Sequence, residues 1–585
     1  MSAYIDQRHS KNKERWSKPT YKIKVQKDIP VKMRDGNKIL VDLYLPDAAK
    51  ETTFPALLAI SPFGKDGQEM ARWLPHQPWY DSIYWDGNLE AGDIDYIVSR
   101  GYGFVIADPK GIGRSEGEYV GLLGSMGQDG YDVIEWMARQ PWCDGKIGMT
   151  GICIFSAAQL LTAAERPPHL KAIAPFETWG DVYRSLAYHG GELFLMQHSV
   201  YKGKHANDSG WTLGNVGSIM MRSRSKEEVD SLVEASLRSP DIKNNSKFYT
   251  MLKYPQIDPI FFDFLLNPAD GPFWWDMSPY TKFDKIEVPV YSGSPWCLEI
   301  FTYNIFGCYE NIKPTPKVLM WPPGLTERPN HQYHDEIMRW FDYHLKGIDT
   351  GIMDEPPIKL FVMGANRWRY EQEWPLVRTA WTKMYLHPYG RLLPHPVDCV
   401  FEPDSFTQPP LFVDPAVHSL QYRTPPFAED TEITGPVALY LHVSIDVDDT
   451  NLMVDLMDVD PAGNEIPISR GYLKASHREI DEAKSKPYKP YHPHLRPQPV
   501  VPGEINEYAI ELMPVSNLFR SGHSLKLVIR SQDDMLQSRV GLWGLGHLPF
   551  GRTVTHKIHR ENPHQSHLLL PVIPKSDESK WVKGS

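Results

Sequence analysis

The stretch from Lys146 to Ser156, Lys-Ile-Gly-Met-Thr-Gly-Ile-Cys-Ile-Phe-Ser, constrains this chain more than any other. Ile147 to Thr150 is a short apolar run that reads as a buried strand. Gly151 and Cys153 follow, and Ala157 to Glu165 has helical composition until Pro167 and Pro168 stop it. A strand, a tight turn with one reactive side chain and a helix make the elbow that stands a nucleophile above a sheet. Amides at the start of such a helix, beginning with Ile154, face the negative charge that develops at the reacting carbonyl. The usual pattern is Gly, any residue, Ser, two residues and then a small one. Here the third position is Cys153 and the sixth is Ser156. The competing reading is a buried cysteine that behaves as a small hydrophobe.

At 585 residues the chain is too long for one core and implies two or three domains. A formal charge of -11 and the lack of a long basic run argue against a nucleic-acid partner. The five cysteines (Cys143, Cys153, Cys297, Cys308, Cys399) are odd in number and lack metal-type spacing, which fits a reduced, cytoplasmic compartment. Met1 to Lys22 is polar and charged, with no apolar segment of the signal-peptide kind. No apolar run reaches bilayer length, so a membrane partner is not expected. Neither a cofactor nor a metal site is read from the sequence.

Taken in order, Tyr21 to Pro46 alternates around Asp35-Gly36-Asn37 and reads as a β-hairpin. Phe54 to Ile60 and Tyr102 to Ala107 are buried strands. The second ends in Asp108 to Gly117, whose glycines lack the spacing of a phosphate loop; a tight turn fixed by Arg114 or Glu116 is the plainer reading. Gln128 to Arg139 is an amphipathic helix, and Lys171 to Ala174 is the strand after the elbow. Strands alternating with helices predict a parallel sheet with crossovers. Between Asp181 and Tyr280 the chain becomes helical and aromatic, with a capping box from Ser225 to Glu228. Such an insertion would sit as a cap over the site. The alternation returns at Val288 to Gly293 and Lys317 to Trp321, and Asp335 to Lys346 is a closing helix.

From about Trp381 the period becomes two. Leu439, Leu441, Val443, Ile445 and Val447 alternate with polar residues, and 452–459, 507–512 and 524–530 read as further strands. Pro487 to Pro502 is an extended proline-rich loop. This pattern predicts a β-sandwich of jelly-roll type. The expected domains are 1–180 with 281–375, a helical cap over 181–280, and the sandwich over 376–585.

Elbow, insertion, Leu345-Lys346-Gly347 closing helix and C-terminal jelly roll, in this order, resemble the cocaine esterase and X-prolyl dipeptidyl peptidase (CocE/NonD) family of α/β hydrolases. The resemblance covers nearly the whole chain. It is carried by Ser61-Pro62-Phe63-Gly64-Lys65, Asp108 to Gly117, Asp129-Gly130-Tyr131-Asp132, Lys146-Ile147-Gly148-Met149, Lys171-Ala172-Ile173-Ala174-Pro175 and Arg339 to Gly347. It implies a doubly wound, mostly parallel sheet that cleaves esters or amides with a serine, an aspartate and a histidine, a tyrosine completing the oxyanion hole. Carried over residue by residue, the nucleophile position holds Cys153 and the tyrosine position holds Phe63. The acid position, in Ser294-Pro295-Trp296-Cys297-Leu298-Glu299, has no aspartate, so Glu299 would have to replace it. Leu325 stands where the histidine belongs, with His331 and His334 a few residues on.

Two enzyme readings follow. In the first, a thiolate at Cys153, activated by the helix start and by His331 or His334, transfers or hydrolyses the acyl group of a small, largely apolar ester, thioester or lactone. In the second, hydrolysis is lost and the capped pocket runs cyclisation, isomerisation or proton transfer on a small molecule. Trp211, Trp274, Trp296 and Cys297 are the candidate pocket walls in either reading, the aromatics being equally readable as core. A ligand-binding protein without catalysis is the third reading. A homo-oligomer is compatible with all three.

Overall fold

A computed structural model describes residues 12–73, 89–195, 214–243, 245–314, 316–324, 330–398, 402–534 and 546–575. The N-terminal half is built on a sheet of ten described strands. In spatial order they are Ile23–Lys32, Lys38–Pro46, Gly103–Ala107, Phe54–Ile60, Cys143–Met149, Leu170–Ile173, Val290–Pro295, Pro316–Trp321, Ile358–Val362 and Arg367–Glu371. The seven from Gly103–Ala107 to Ile358–Val362 run parallel, and an antiparallel strand or hairpin closes each edge. Every residue of Phe54–Ile60 and Gly103–Ala107 is buried. Continuous apolar runs are what a parallel sheet covered on both faces demands.

The crossover helices Met126–Ala138 and Ile154–Ala164 pack on each other and on the central strands. The closing helix His334–Lys346 docks on the same strands. There Phe341 fills the space over Gly148, and the Trp340 indole N–H donates to the Ile173 carbonyl at 3.1 Å.

The insertion between Leu170–Ile173 and Val290–Pro295 carries the helices Lys226–Arg238, Ser246–Lys253 and Pro259–Leu266. The capping box is present: Ser225 Oγ accepts from the Glu228 N–H, and the Glu228 carboxylate accepts from the Ser225 N–H. The insertion also holds two-residue strands that the sequence does not announce. Tyr188–His189 pairs with Glu192–Leu193, and Val216–Gly217 pairs with Tyr119–Val120. Two residues are too few to display a period.

Beyond residue 380 the eleven described strands join edge to edge into one largely antiparallel sheet. The fifteen-residue strand Thr431–Ile445 pairs with Asn506–Phe519, Val554–His559 and His567–Ile573, and the last pairing closes the sheet on itself. The β-domain expected from the two-residue period is therefore present as a flattened ring rather than as two separate sheets. It is not an independent lobe. Val318, Met320, Ile358, Leu360 and Val362 of the ten-stranded sheet share one apolar cluster with Leu439, Leu441, Ile510 and Leu527 of the ring.

A buried relay ties the cap to the ring. Asp533 Oδ2 lies 3.0 Å from His547 Nδ1, His547 Nε2 lies 2.9 Å from His189 Nδ1, and His189 Nε2 lies 2.9 Å from the Ser185 carbonyl. A carbonyl only accepts, so His189 donates from Nε2 and accepts at Nδ1. Burial pushes the His189 imidazole down to about 3, which keeps it neutral.

Candidate active site

The elbow is built by four local devices. Gly151 has φ +114°, and a Cβ there would come within 2.5 Å of Phe155 Cβ, so no side chain fits. Cys153 itself has φ 59° and ψ −120°, a left-handed conformation that costs a non-glycine residue about 1–3 kcal/mol. Its N–H donates to the Phe176 carbonyl at 3.2 Å, and its carbonyl accepts from Ser156 N–H at 3.0 Å and Ala157 N–H at 3.2 Å. Gln159, fully buried, staples the turn from beneath: Nε2 donates to the Gly151 carbonyl at 2.8 Å and Oε1 accepts from the Ala174 N–H at 2.9 Å.

Cys153 is 3% exposed and caps the helix Ile154–Ala164. Ile154 follows as the first helical residue, where an N–H has no intrahelical acceptor and is available to an oxyanion.

The loop that holds Phe63 is pinned by charge. Lys65 Nζ, buried, lies 2.7 Å from Asp28, 3.1 Å from Asp42 and 2.8 Å from Asp66, and the Lys65 N–H donates to Asp108 Oδ1 at 2.6 Å. The neighbouring Asp108 to Gly117 loop is a fixed turn, as the plainer reading has it. Arg114 pairs with Asp28, and Glu116 accepts from the Lys38 N–H at 2.8 Å.

His331 and His334 lie where the closing helix begins, and each meets a partner that the sequence does not reveal. His331 Nδ1 faces Asp93 Oδ2 at 3.5 Å, while Asp93 Oδ1 accepts from the Tyr96 N–H at 2.9 Å and caps the helix Ile94–Ser99. His334 stacks on Tyr96 with ring centroids 3.6 Å apart, and burial pushes its imidazole down to about 4. The Asp93 segment also reaches the elbow, because the Glu90 carbonyl accepts the Ile152 N–H at 3.0 Å. Ligand-type atoms of Asp93, His331 and His334 lie within 4.8 Å of one another, a donor set that could hold a divalent cation. In the other gathered set, Asp28, Asp42 and Asp66, the Lys65 ammonium bonds to all three.

The remaining sequence candidates are placed elsewhere. Glu299 opens the helix Glu299–Asn311 and is 3% exposed, while the buried Arg470 of the β-ring is ion-paired with Asp455 at 2.6 Å. Trp296 is fully buried in the cluster shared with the ring, and its indole N–H donates to the Phe361 carbonyl at 2.8 Å. Cys297 Sγ is 3.0 Å from the Ile468 carbonyl, and burial pushes the thiol up to about 12. Trp274 is wholly buried among Phe264, Phe273, Tyr183 and Tyr188, with its indole N–H on the Asn267 and Ala269 carbonyls. Both tryptophans are core rather than pocket wall. Trp211, Leu325 and Cys399 lie outside the described residues.

Glu177 is the second candidate, after Asp93, that sequence reasoning did not single out. It has φ 50° and is fully buried, and its N–H donates to the Gly293 carbonyl at 2.7 Å. The residue before it, Phe176, bridges Ile152 at the elbow and Gly293 at the acid strand. Cys153, Glu177 and Cys297 are thus left-handed at the carboxyl ends of three neighbouring strands. Backbone strain of this kind clusters at functional sites and marks this sheet edge as a candidate.

Comparison with known proteins agrees with this architecture. Residues 35–324 match the X-Pro dipeptidyl-peptidase (S15 family), and residues 350–569 match the X-Pro dipeptidyl-peptidase C-terminal non-catalytic domain. The chain belongs to this family. The cocaine esterase of Rhodococcus sp. is 26% identical over 94% of this chain and 99% of its own length. A putative Xaa-Pro dipeptidyl-peptidase of Bacillus anthracis is 22% identical over 86% of this chain and 81% of its own. The structure of a CocE/NonD family hydrolase from Staphylococcus aureus superposes with a TM-score of 0.71 at 21% identity, covering 94% of both chains. The S15-family chain described here is therefore an α/β hydrolase whose relatives are hydrolases. Among its described residues, no helix is long and apolar enough to cross a membrane.

Burial holds three other thiols of this S15-family chain in the neutral form. It raises Cys143 to about 11, and Cys297 and Cys308 to about 12, so none of these is a nucleophile near neutrality. With its sulfur at the start of the helix Ile154–Ala164, an activated Cys153 should be modified by iodoacetamide at neutral pH ahead of these three, ranked by peptide mass spectrometry of partly alkylated protein. Equal or faster labelling of Cys143 or Cys308 would count against an activated Cys153.

Proposed function

We propose that the chain is an acyl hydrolase or acyltransferase of small, largely apolar esters, thioesters or lactones, with Cys153 as nucleophile. The observation that carries this reading is the left-handed Cys153 at the elbow. A cysteine with a packing role alone gains nothing from that strain. In the proposed reaction the Cys153 thiolate attacks the carbonyl carbon, and the oxyanion is met by the Ile154 N–H at the helix start. The bond to the leaving group breaks, and the leaving atom takes a proton from the His331 imidazolium. Asp93, facing Nδ1, orients the ring in the role a triad carboxylate plays. Water, losing its proton to His331, then cleaves the thioester; an acceptor alcohol or amine in its place gives transfer.

Phe63 supports a specific expectation. Its position in the resemblance is that of an oxyanion donor, and a phenyl ring donates nothing. Lack of one such donor costs about 2.7–4 kcal/mol, or ~100- to 1000-fold in rate. Phe63→Tyr should then raise steady-state turnover of p-nitrophenyl butyrate by at least about tenfold. The pinned loop around Lys65 would hold the new hydroxyl in place. No gain, with the fold intact by circular dichroism, would favour a reading without hydrolysis. That second reading is favoured by one observation: the turn after Val290–Pro295 offers no carboxylate before Glu299, which is buried at the start of the next helix.

A further inference from the structure

Where the helix Ile94–Ser99 meets the start of the closing helix His334–Lys346, one carboxylate and two imidazoles come together. Ligand-type atoms of Asp93, His331 and His334 all lie within 4.8 Å of one another. His331 Nδ1 and Asp93 Oδ2 are 3.5 Å apart. Two donors about 2.0–2.1 Å from a tetrahedral zinc ion stand roughly 3.3–3.4 Å from each other, so this pair has the spacing of two ligands on one ion. An ion can reach them: the His331 side chain is 37% exposed and that of Asp93 is 20% exposed. Among the described residues one other such set is gathered, and the Lys65 ammonium fills it; Cys153 belongs to neither.

Metal ligands are oriented by outer contacts, and two of these three are fixed by one residue, Tyr96. Asp93 Oδ1 accepts from the Tyr96 N–H at 2.9 Å, which leaves Oδ2 toward His331. The Tyr96 ring stacks on His334 at 3.6 Å between centroids, and its hydroxyl donates to Asp335, the next residue of the closing helix. The neighbouring cation, Arg100, is turned to the Tyr96 ring and carbonyl.

We propose that Asp93, His331 and His334 bind a zinc-type divalent ion, and that the ion switches off the chemistry at the elbow. Two imidazoles and one carboxylate suit zinc, with water completing the tetrahedron, whereas magnesium prefers oxygen donors throughout. An imidazole with zinc on one nitrogen keeps its proton on the other, so it has no lone pair left to act as a base. The switching half of the proposal rests on the reading of Cys153 and His331 as nucleophile and base; the binding half does not.

The test is calorimetric titration of the full chain with zinc chloride, and with magnesium chloride for comparison. Zinc should bind and magnesium should not. His334→Phe keeps a ring to stack on Tyr96 but offers no nitrogen, and Asp93→Asn keeps the acceptor for the Tyr96 N–H but loses the charge. Each should weaken zinc by at least the about 10- to 100-fold that loss of an outer contact alone costs. Cys153→Ala should bind zinc as the natural chain does. No zinc binding by the natural chain, loss of binding in Cys153→Ala, or adventitious binding only, unchanged in His334→Phe and Asp93→Asn, would each overturn the proposal. Acylation of Cys153 by p-nitrophenyl butyrate is then followed with and without zinc. Slowing that disappears in His334→Phe is expected. Zinc bound at this site with acylation unchanged, or slowing that persists in His334→Phe, would overturn the switch. Absence of acylation even without zinc would overturn the reading of Cys153 instead, and would leave the binding result standing.

Discussion

Cys153→Ala is expected to remove acyl turnover by about 10⁴- to 10⁶-fold, the loss seen when a covalent nucleophile is deleted. The substitution keeps the backbone bonds that define the turn, since these run through the Cys153 N–H and carbonyl and the Gln159 amide. Folding should therefore stay close to that of the natural chain, and p-nitrophenyl butyrate hydrolysis alone should fall. Cys153→Ser should recover little of the loss. A hydroxyl depends on its base far more than a thiol does, and the proposed base, His331, stands 3.5 Å from its proposed carboxylate, Asp93. Activity that survives Cys153→Ala on the natural substrate would transfer the chemistry to the second reading, in which Cys153 is a wall.

The largest effect on stability is expected at Arg339. This guanidinium is fully buried on the closing helix His334–Lys346, 3.1 Å from Glu336 and 2.5 Å from Glu355. Lys359 completes the group at 2.7 Å from Glu336. Burial raises the Glu355 carboxyl, and the Glu336 charge adds to that, with Arg339 opposing both. Arg339→Ala deprives two buried carboxyl groups of the guanidinium that bridges them, at a cost of about 3–5 kcal/mol. Urea unfolding followed by tryptophan fluorescence should show the transition move to clearly lower denaturant, with Arg339→Lys intermediate. A midpoint unchanged in Arg339→Ala would mean that the network contributes nothing net. The same helix starts at His334, three residues after His331, so activity should become heat-labile in parallel.

Much of this architecture is legible without coordinates because its parts are local. Phe54–Ile60 reads as a buried strand because every residue of it is apolar and buried. Ser225 to Glu228 announces a helix start because both halves of the box lie within four residues. The elbow helix is read three residues late: Ile154 and Phe155 are β-branched and aromatic, and resemble a continuing strand rather than a first helical turn.

The site is harder to read, for the same physical reason. Asp93 has the appearance of an ordinary cap, and its second oxygen meets His331 only after the sheet brings the two segments together. Glu177 is marked by its backbone conformation, which no sequence pattern encodes. Trp274 and Trp296 show that an aromatic residue in a cap or after a strand does not reveal whether it faces a ligand or a core; both have indole N–H groups bonded to buried carbonyls. The ring closure of the β-domain depends on Thr431–Ile445, whose register shifts between Gly435 and Val437. A single shifted position leaves the alternation on either side intact and so goes unseen.

The central claim is that an acyl group passes through the Cys153 sulfur. The direct measurement is to mix the natural chain with p-nitrophenyl butyrate, quench in acid during the pre-steady state, and map the protein by mass spectrometry. A burst of p-nitrophenolate matched by one butyryl group on the peptide that contains Cys153, absent from Cys153→Ala, is the predicted result. Steady hydrolysis with no acyl adduct on that peptide, or an adduct at another residue that turns over equally well in Cys153→Ala, would contradict it.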